Sequence, residues 1–504
     1  MNIQSLLEHH GIGRNPFAEE DAQTDPVFKE FCISSAYHPV WDKVYGDPAE
    51  PATAIVFGPK GSGKTAMRLQ IDRHLARYNE EHPESRVFVI RYDDFNPFLD
   101  HFSERLSRRA ARKPEKVLDQ WKLWDHMDSI LCLGVTSLVD RVLNIGTSRE
   151  DSRGEDAITA THLKKLDRTA SRDFLLLAMA YDQSTASTSM GRWNQLRRKL
   201  AFGNLAAFWD GGLAILGTAV AITLTGYLFL RQTVHADGGR GLMILWLAPA
   251  LALLFSAPWL IRWLRCQFAA MGIRRHMRVG KREVGSLRKV LLRFPSKELA
   301  NQPVPRYDRT DDRYELLNKF QGLISLMGFN GVIVLMDRVD EPHLTGGKQE
   351  LMKRFVWPLL DNKLLKYPGL GFKLMLPQEL HRDIERENRD FHERARLDKQ
   401  NVVPAFQWTG ESLYDLARAR MMACAAEGKT PEPKDLFADD ISYQRLLTAF
   451  ASLRVPRHLF RFLYRVLVEH SNRYTDASPE FKIKAETFET TLAVYQREAE
   501  LGGN

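Results

Sequence analysis

The stretch TAIVFGPKGSGKTAMRLQIDRHL, residues 53–75, constrains the fold more than any other part of the chain. Thr53 to Phe57 form a short apolar run suited to a strand, Gly58 to Thr65 fit the pattern G-x-x-x-x-G-K-[ST], and Met67, Leu69 and Ile71 open a helical pattern behind it. Strand, glycine-rich turn and helix in that order predict a loop whose successive backbone N–H groups converge on phosphate oxygens. Glycine supplies the left-handed backbone such a loop needs, and the helix N-terminus adds further donors and a favourable dipole. The expected cofactor-binding set is therefore Gly58, Pro59, Lys60, Gly61, Ser62, Gly63, Lys64 and Thr65. Lys64 is expected on the β- and γ-phosphates and the Thr65 hydroxyl on magnesium, which makes ATP and Mg2+ the expected cofactors.

A loop of this kind needs an acidic partner at the end of another strand. The clearest candidate is far along the chain, in GFNGVIVLMDRVDEPH, residues 328–343. Val332 to Met336 are uncharged, as in a strand buried on both faces, and Asp337 stands at their carboxyl end, where open α/β sheets place ligand groups. Asp337 is the expected metal residue, directly or through water. Asp340 and Glu341 follow as candidates to orient or activate an attacking water, with a solvated loop carboxylate or ion-pair partner as the alternative for Glu341.

Other segments suit the same sheet. RVFVIRY at 86–92, GFKLMLP at 371–377 and VVPAFQW at 402–408 are strand candidates. Leu316, Leu317, Phe320 and Ile324 mark one helix face before the acidic strand, and Leu351, Phe355, Leu359 and Leu360 mark another after it. Alternating strands and helices predict an α/β fold with an open, mainly parallel sheet.

VIVLMDRVDE resembles the extended acidic-strand signature of the signal-transduction ATPases of the STAND class, an apolar strand running into Asp-x-hydrophobic-Asp-Glu; Arg338 departs from the small or acidic residue common beside the first aspartate. The resemblance covers about 51–100 and 312–470 and implies a P-loop NTPase sheet followed by the small helical lid of AAA-related ATPases. WTGESLYDLARARMMAC at 408–424 is similar to the start of such a lid, and ASLRVPRHLFRFLYRVLVEH at 451–470 to the helix that carries its sensor arginine. That role falls to Arg457, with Arg454 as the nearby substitute. The same likeness implies an intersubunit arginine near RENRDFHERARLDKQ, where Arg396 is preferred over Arg394 and a solvated charge run is the alternative.

Two long runs in the middle of the chain carry no charge: GGLAILGTAVAITLTGYLFL at 211–230 and GLMILWLAPALALLFSAPWLI at 241–261. At 1.5 Å rise per residue, each reaches roughly 30 Å as a helix, the thickness of a bilayer core. They predict a transmembrane hairpin with helices at about 209–230 and 241–262, a buried helical pair being the alternative. Arg192, Arg197, Arg198 and Lys199 precede the first run, and Arg262, Arg265, Arg274, Arg275, Arg278, Lys281 and Arg282 follow or end the second. Only Arg231 and Arg240, against Asp237, lie between. The positive-inside bias predicts a two-span protein of the cytoplasmic (inner) membrane with both flanks in the cytoplasm and membrane lipid as a partner. The formal charge of +8 over 504 residues suits an anionic membrane surface or nucleic acid. Cys32, Cys132, Cys266 and Cys424 lack metal-ligand spacing and read as reduced thiols, and the N-terminus lacks the pattern of a signal peptide.

The layout resembles the KAP family, membrane-linked ATPases whose nucleotide domain is interrupted by membrane helices. The expected organisation is an N-terminal extension at 1–50, a first core part at 51–100, a helical insertion at 101–311, a second core part at 312–408, and a helical lid with the C-terminal region at 409–504. The expected function is a membrane-anchored, Mg-dependent ATPase of slow turnover, acting as a nucleotide-controlled switch or assembly motor, homo-oligomeric and with a protein partner that the sequence does not identify. The alternatives are a nucleotide-dependent membrane scaffold that does not hydrolyse, and a soluble DNA-associated AAA-like ATPase.

Overall fold

A computed structural model describes the chain apart from residues 35, 146–157, 159, 186–187, 204–205, 235–240, 301, 361–362, 396, 398–399 and 502–504. For residues 160, 206–211, 213–214, 228–229, 231–234, 241–255 and 499–501 it describes the backbone alone. The chain divides into two compact units, one built from Met1–Phe95 with Asn330–Asn504 and the other from Asn96–Phe329.

The first unit is built on five strands: β1 Ala54–Gly58, β2 Arg86–Tyr92, β3 Phe329–Met336, β4 Leu370–Pro377 and β5 Asn401–Val403. Their order across the sheet is β2-β3-β4-β1-β5. β1 pairs in parallel with β4 and β5, Val56 lying opposite Met375 and Val403, and β3 pairs in parallel with β4, Val334 lying opposite Phe372. Every residue of β1 and β4 is buried, which is why β1 reads as an unbroken apolar run and β4 as one interrupted only by Lys373. The helix Lys64–Glu81 places Met67, Ile71 and Leu75 in one core with Val56, Val87 and Ile333. The helix Gln349–Leu360 buries Leu351, Phe355, Leu359 and Leu360. β5 is shorter than the sequence suggests: Pro404 has no N–H to continue the ladder, and the chain leaves the sheet there.

After the sheet come the helices Gly410–Ala423, Tyr443–Leu453 and Pro456–Arg473. Thr409 caps the first by accepting from Ser412 N, while Pro456 occupies the first turn of the third, where its missing N–H costs no helical bond. The N-terminal residues belong to this helical core, since Leu6, Leu7, Phe17 and Phe28 are buried among Leu413, Phe450 and Leu463. A buried ion pair of 2.6 Å between Arg420 and Asp25 fastens them, and Arg420 also donates from Nε to the Pro16 carbonyl at 2.7 Å.

The second unit is helical in its described residues. Helices Leu123–Leu143, Arg168–Tyr181 and Thr310–Leu326 pack together, and the last buries Leu316, Leu317, Phe320 and Ile324 in this unit. A fully buried pair, Arg313 with Asp128 at 3.0 Å, is completed by the Tyr181 hydroxyl donating to Asp128 at 2.8 Å. Such a pair tolerates burial because each charge finds its opposite and further hydrogen bonds.

The two uncharged runs lie in the helices Ala206–Val234 and Gly241–His276, which pack against each other. Among the described residues, no helix is long and apolar enough to cross a membrane. This corrects the expectation of a transmembrane hairpin at about 209–230 and 241–262. A span needs roughly 20 consecutive apolar residues on one helix. The described side chains of the first helix include the polar Thr218, Thr223 and Thr225. Those of the second lie toward its C-terminal end, where Arg262, Arg265, Arg274 and Arg275 interrupt the apolar surface. The turn joining the proposed spans lies outside the described residues. With the spans go the fold class that contained them, the inner-membrane location, the lipid partner and the membrane-anchored function. The described apolar side chains of these helices, among them Ile215, Leu216 and Phe268, are largely exposed.

Candidate functional site

The glycine-rich loop leaves the carboxyl end of β1 and turns into the Lys64–Glu81 helix. Two of its glycines are required by conformation, Gly61 at φ +83° and Gly63 at φ +97°. Gly61 is also crowded: a Cβ there would lie 2.7 Å from the Cβ of Arg457, whose backbone N–H donates to the Gly61 carbonyl at 3.3 Å. The start of the Pro456–Arg473 helix is thereby held directly over the loop. From below, the chain that left the sheet at Pro404 supports the same loop. Phe406 N donates to the Phe57 carbonyl at 2.8 Å, and the Trp408 indole donates to the Ser62 carbonyl at 2.8 Å.

Lys64 turns back onto its own loop, donating to the carbonyls of Gly58 at 2.6 Å and Pro59 at 3.0 Å. Burial pushes its pKa down, and the nearby charges of Asp337 and Asp340 oppose that shift. Thr65 donates its hydroxyl to Asp337 Oδ2 at 2.8 Å, and the backbone N–H of Arg338 donates to Asp337 Oδ1 at 2.9 Å. The Asp337 carboxyl is raised above its ordinary range by burial, against the Thr65 hydrogen bond and the Arg68 charge. Arg68, almost wholly buried, lies between Asp337 and Asp93. Arg338 takes the left-handed backbone at φ +64° and pairs with Glu341 at 3.2 Å. Burial raises the Glu341 carboxyl somewhat, and Arg338 opposes it.

These groups open into one cavity of about 550 Å3, within the range of small-molecule sites. Lys60, Gly61, Gly63, Lys64, Thr65, Asp337, Asp340, Glu341 and Arg457 line it. Ser62 is buried beneath, and Gly58 and Pro59 contribute the carbonyls that Lys64 uses. Arg454 is exposed, ends the preceding helix in a left-handed turn and is not among the lining residues, so of the two arginines beside Pro456 only Arg457 faces the cavity. Arg396 lies outside the described residues. Four side-chain atoms around the loop are buried with no hydrogen-bond partner: Ser62 Oγ, Arg68 Nε, Arg338 Nε and Arg457 Nε. Two of them still face carboxylates, Arg338 Nε toward Glu341 and Arg68 Nε toward Asp337, whereas Arg457 Nε lines the cavity with neither a hydrogen bond nor a carboxylate beside it among the described residues. Among the described residues, no group of three or more His, Cys, Asp or Glu side chains is arranged to hold a metal unaided. Two oxygen donors, Thr65 Oγ1 and Asp337 Oδ2, lie 2.8 Å apart beside the loop.

Part of the cavity wall was invisible in sequence. Glu20, Asp21, Asp25, Phe28 and His38 come from the N-terminal segment and line the cavity as well. His38 stacks on Phe406 with ring centroids 3.9 Å apart and bonds the Gln407 carbonyl at 2.8 Å. Burial pushes its pKa down to about 4, so the ring is neutral at physiological pH. No local pattern links residues 20–38 to residues 406–460; only the tertiary fold joins them. Arg68 carried a weak signal, a cation between Met67 and Leu69 on the helix that must pack on the sheet.

No family model, no curated protein and no solved structure matches the chain. The resemblances to the STAND and AAA-related ATPases and to the KAP family are therefore not sustained. The first rested on a short loop and a short acidic strand, which is little sequence to define a family. The second rested on a membrane layout that the described helices do not support.

Proposed function

We propose that the cavity binds a nucleoside triphosphate together with Mg2+, ATP being the default, and that the chain hydrolyses it slowly. The observation that carries this reading is the meeting of Lys64, Thr65, Asp337 and Arg457 in one cavity, where the Arg457 Nε has no hydrogen-bond partner among the described residues. The loop N–H groups and the helix N-terminus suit phosphate oxygens. Lys64 exchanges the Gly58 and Pro59 carbonyls for the phosphates, and Arg457, seated on Gly61, reaches the same region from the helical side. Thr65 and Asp337 would hold Mg2+, which neutralises charge on the phosphate oxygens when bound. Hydrolysis forms a bond from water oxygen to the terminal phosphorus and breaks the bond to the bridging oxygen, with the water proton passing to a carboxylate. Asp340 and Glu341 are the carboxylates at hand.

The pairing of Glu341 with Arg338 favours a second reading, a nucleotide-dependent scaffold with negligible turnover, because the ion pair engages the carboxylate that would otherwise take the water proton. Phosphate release and nucleotide affinity, measured side by side, separate the two. The enzyme reading expects slow turnover in the wild type, reduced at least about tenfold by Asp340→Asn or Glu341→Gln with affinity kept. Tight binding with no wild-type turnover selects the scaffold, and the absence of nucleotide binding removes both.

A further inference from the structure

Arg68 sits on the buried face of the Lys64–Glu81 helix with a side chain only 4 % exposed, between two carboxylates. Its Nη1 is 3.1 Å from Asp93 Oδ2, just past the carboxyl end of β2, where the carboxylate is a quarter exposed. Its Nε is 3.6 Å from Asp337 Oδ2, just past the carboxyl end of β3, where the carboxylate is 3 % exposed. The two contacts differ in kind. The first is within charged hydrogen-bond range, whereas the second is an ion pair without a hydrogen bond, and Nε has no partner. Asp337 is otherwise engaged by Thr65 on one oxygen and the Arg338 N–H on the other. The guanidinium therefore neutralises Asp337 by proximity while its closer contact is with Asp93.

We propose that Arg68 is the placeholder cation of the metal site: it balances Asp337 while no divalent ion is bound and passes wholly to Asp93 when one arrives. The inference rests on the nucleotide reading above. A buried carboxylate needs a counter-charge in each state. Mg2+ and a guanidinium facing the same oxygen repel one another, so the arriving ion is opposed by Arg68 and helped by any group that draws Arg68 away. Asp93 is that group, held past the end of a different strand and more exposed to water than Asp337. Arg68 is thus a positioning residue, and the pair Arg68–Asp93 sets how much Mg2+ the site needs.

The test uses the fluorescent nucleotide mant-ATP, titrated onto the full chain in EDTA and then across a Mg2+ series. Arg68→Met removes the competitor. It should weaken metal-free nucleotide binding, because nothing then offsets Asp337 near the phosphates, and lower the Mg2+ midpoint by about tenfold. Asp93→Asn removes the exit, commits Arg68 to Asp337 and should raise the midpoint by a similar factor. Arg68→Lys keeps a charge that reaches only one carboxylate at a time, so it should give metal-free binding between that of the wild type and that of Arg68→Met. If Arg68→Met does not fold, Arg68→Lys and Asp93→Asn still decide the matter, since a lysine cannot span both carboxylates and should lower the midpoint. Opposite shifts in the two classes of variant support the placeholder, because a merely structural arginine would move both the same way. Midpoints that do not move, or that move together, overturn it while leaving nucleotide binding intact. A wild type that binds no mant-ATP under any condition overturns the nucleotide reading as well.

Discussion

Gly61→Ala should loosen the seat of Arg457 on the glycine-rich loop, and the size of the effect can be built from the contacts there. At φ +83° an alanine is strained by about 1–2 kcal/mol relative to glycine. Its Cβ would start 2.7 Å from the Arg457 Cβ, an atom fixed to the backbone that no rotamer change can move. Relief requires the helix start to lift by several tenths of an ångström, which breaks the 3.3 Å bond from Arg457 N to the Gly61 carbonyl at a cost of about 1 kcal/mol. The sum is about 2–3 kcal/mol, concentrated at the loop and at the first turn of Pro456–Arg473. Hydrogen exchange read by mass spectrometry over residues 456–463 reports that opening free energy locally. The clash is with Cβ, so Gly61→Ala combined with Arg457→Ala should gain nothing, while combination with Arg457→Gly should recover about 1 kcal/mol of coupling. Equal rescue by both arginine variants, or unchanged protection in Gly61→Ala, would refute the seat of Arg457 on the loop.

Three further outcomes follow from buried polar groups. Lys373 is buried in β4 and donates to the Tyr45 carbonyl at 2.9 Å, and burial pushes its pKa from 10.5 down to about 8. The folded state therefore binds that proton less tightly than the unfolded chain. The penalty is absent above pH 10.5 and complete below pH 8, and amounts to about 3 kcal/mol before the lost hydrogen bond is counted. Lys373→Met should raise stability by about 2 kcal/mol at pH 7 and flatten the rise between pH 8 and 10.5, both measurable by urea denaturation. His38, held near pKa 4 against an ordinary 6.5, should cost the fold up to about 3 kcal/mol as pH falls from 6.5 to 4, and His38→Gln should remove most of that acid sensitivity in thermal scans. Trp408→Phe keeps the ring but loses the bond to the Ser62 carbonyl, and should weaken nucleotide binding by several-fold, about 1 kcal/mol, in a fluorescence titration.

The parts of the fold that could be read from sequence are those whose physics is local. β1, most of β3 and β4 are buried on both faces and so are almost wholly apolar, Lys373 excepted, and the loop shows itself because Gly61 and Gly63 take backbone conformations that side chains resist. The carboxylate of Asp337 was readable because its strand ends in it. The rest depends on contacts between segments distant in sequence. VVPAFQW has a strand's composition, but Pro404 ends the ladder and frees Phe406 and Trp408 to support the loop. The first forty residues have no pattern that announces a cavity wall, yet Asp25 is tied to Arg420 and His38 to Gln407. The uncharged runs at 211–230 and 241–261 mislead in the opposite way: lack of charge alone does not make a span, and the helices that contain them also carry threonines and, past Trp259, arginines.

Isothermal titration of Mg·ATP into the wild-type chain and into Lys64→Ala tests the central claim most directly. Lys64 is the group that must leave two loop carbonyls for the phosphates, and a charged hydrogen bond of this kind contributes about 1.5–3 kcal/mol. The wild type should bind one nucleotide per chain, and Lys64→Ala should bind at least about tenfold more weakly while remaining folded by circular dichroism. No binding by the wild type, or equal affinity in the two proteins, would contradict the assignment of Gly58–Thr65 as the phosphate site.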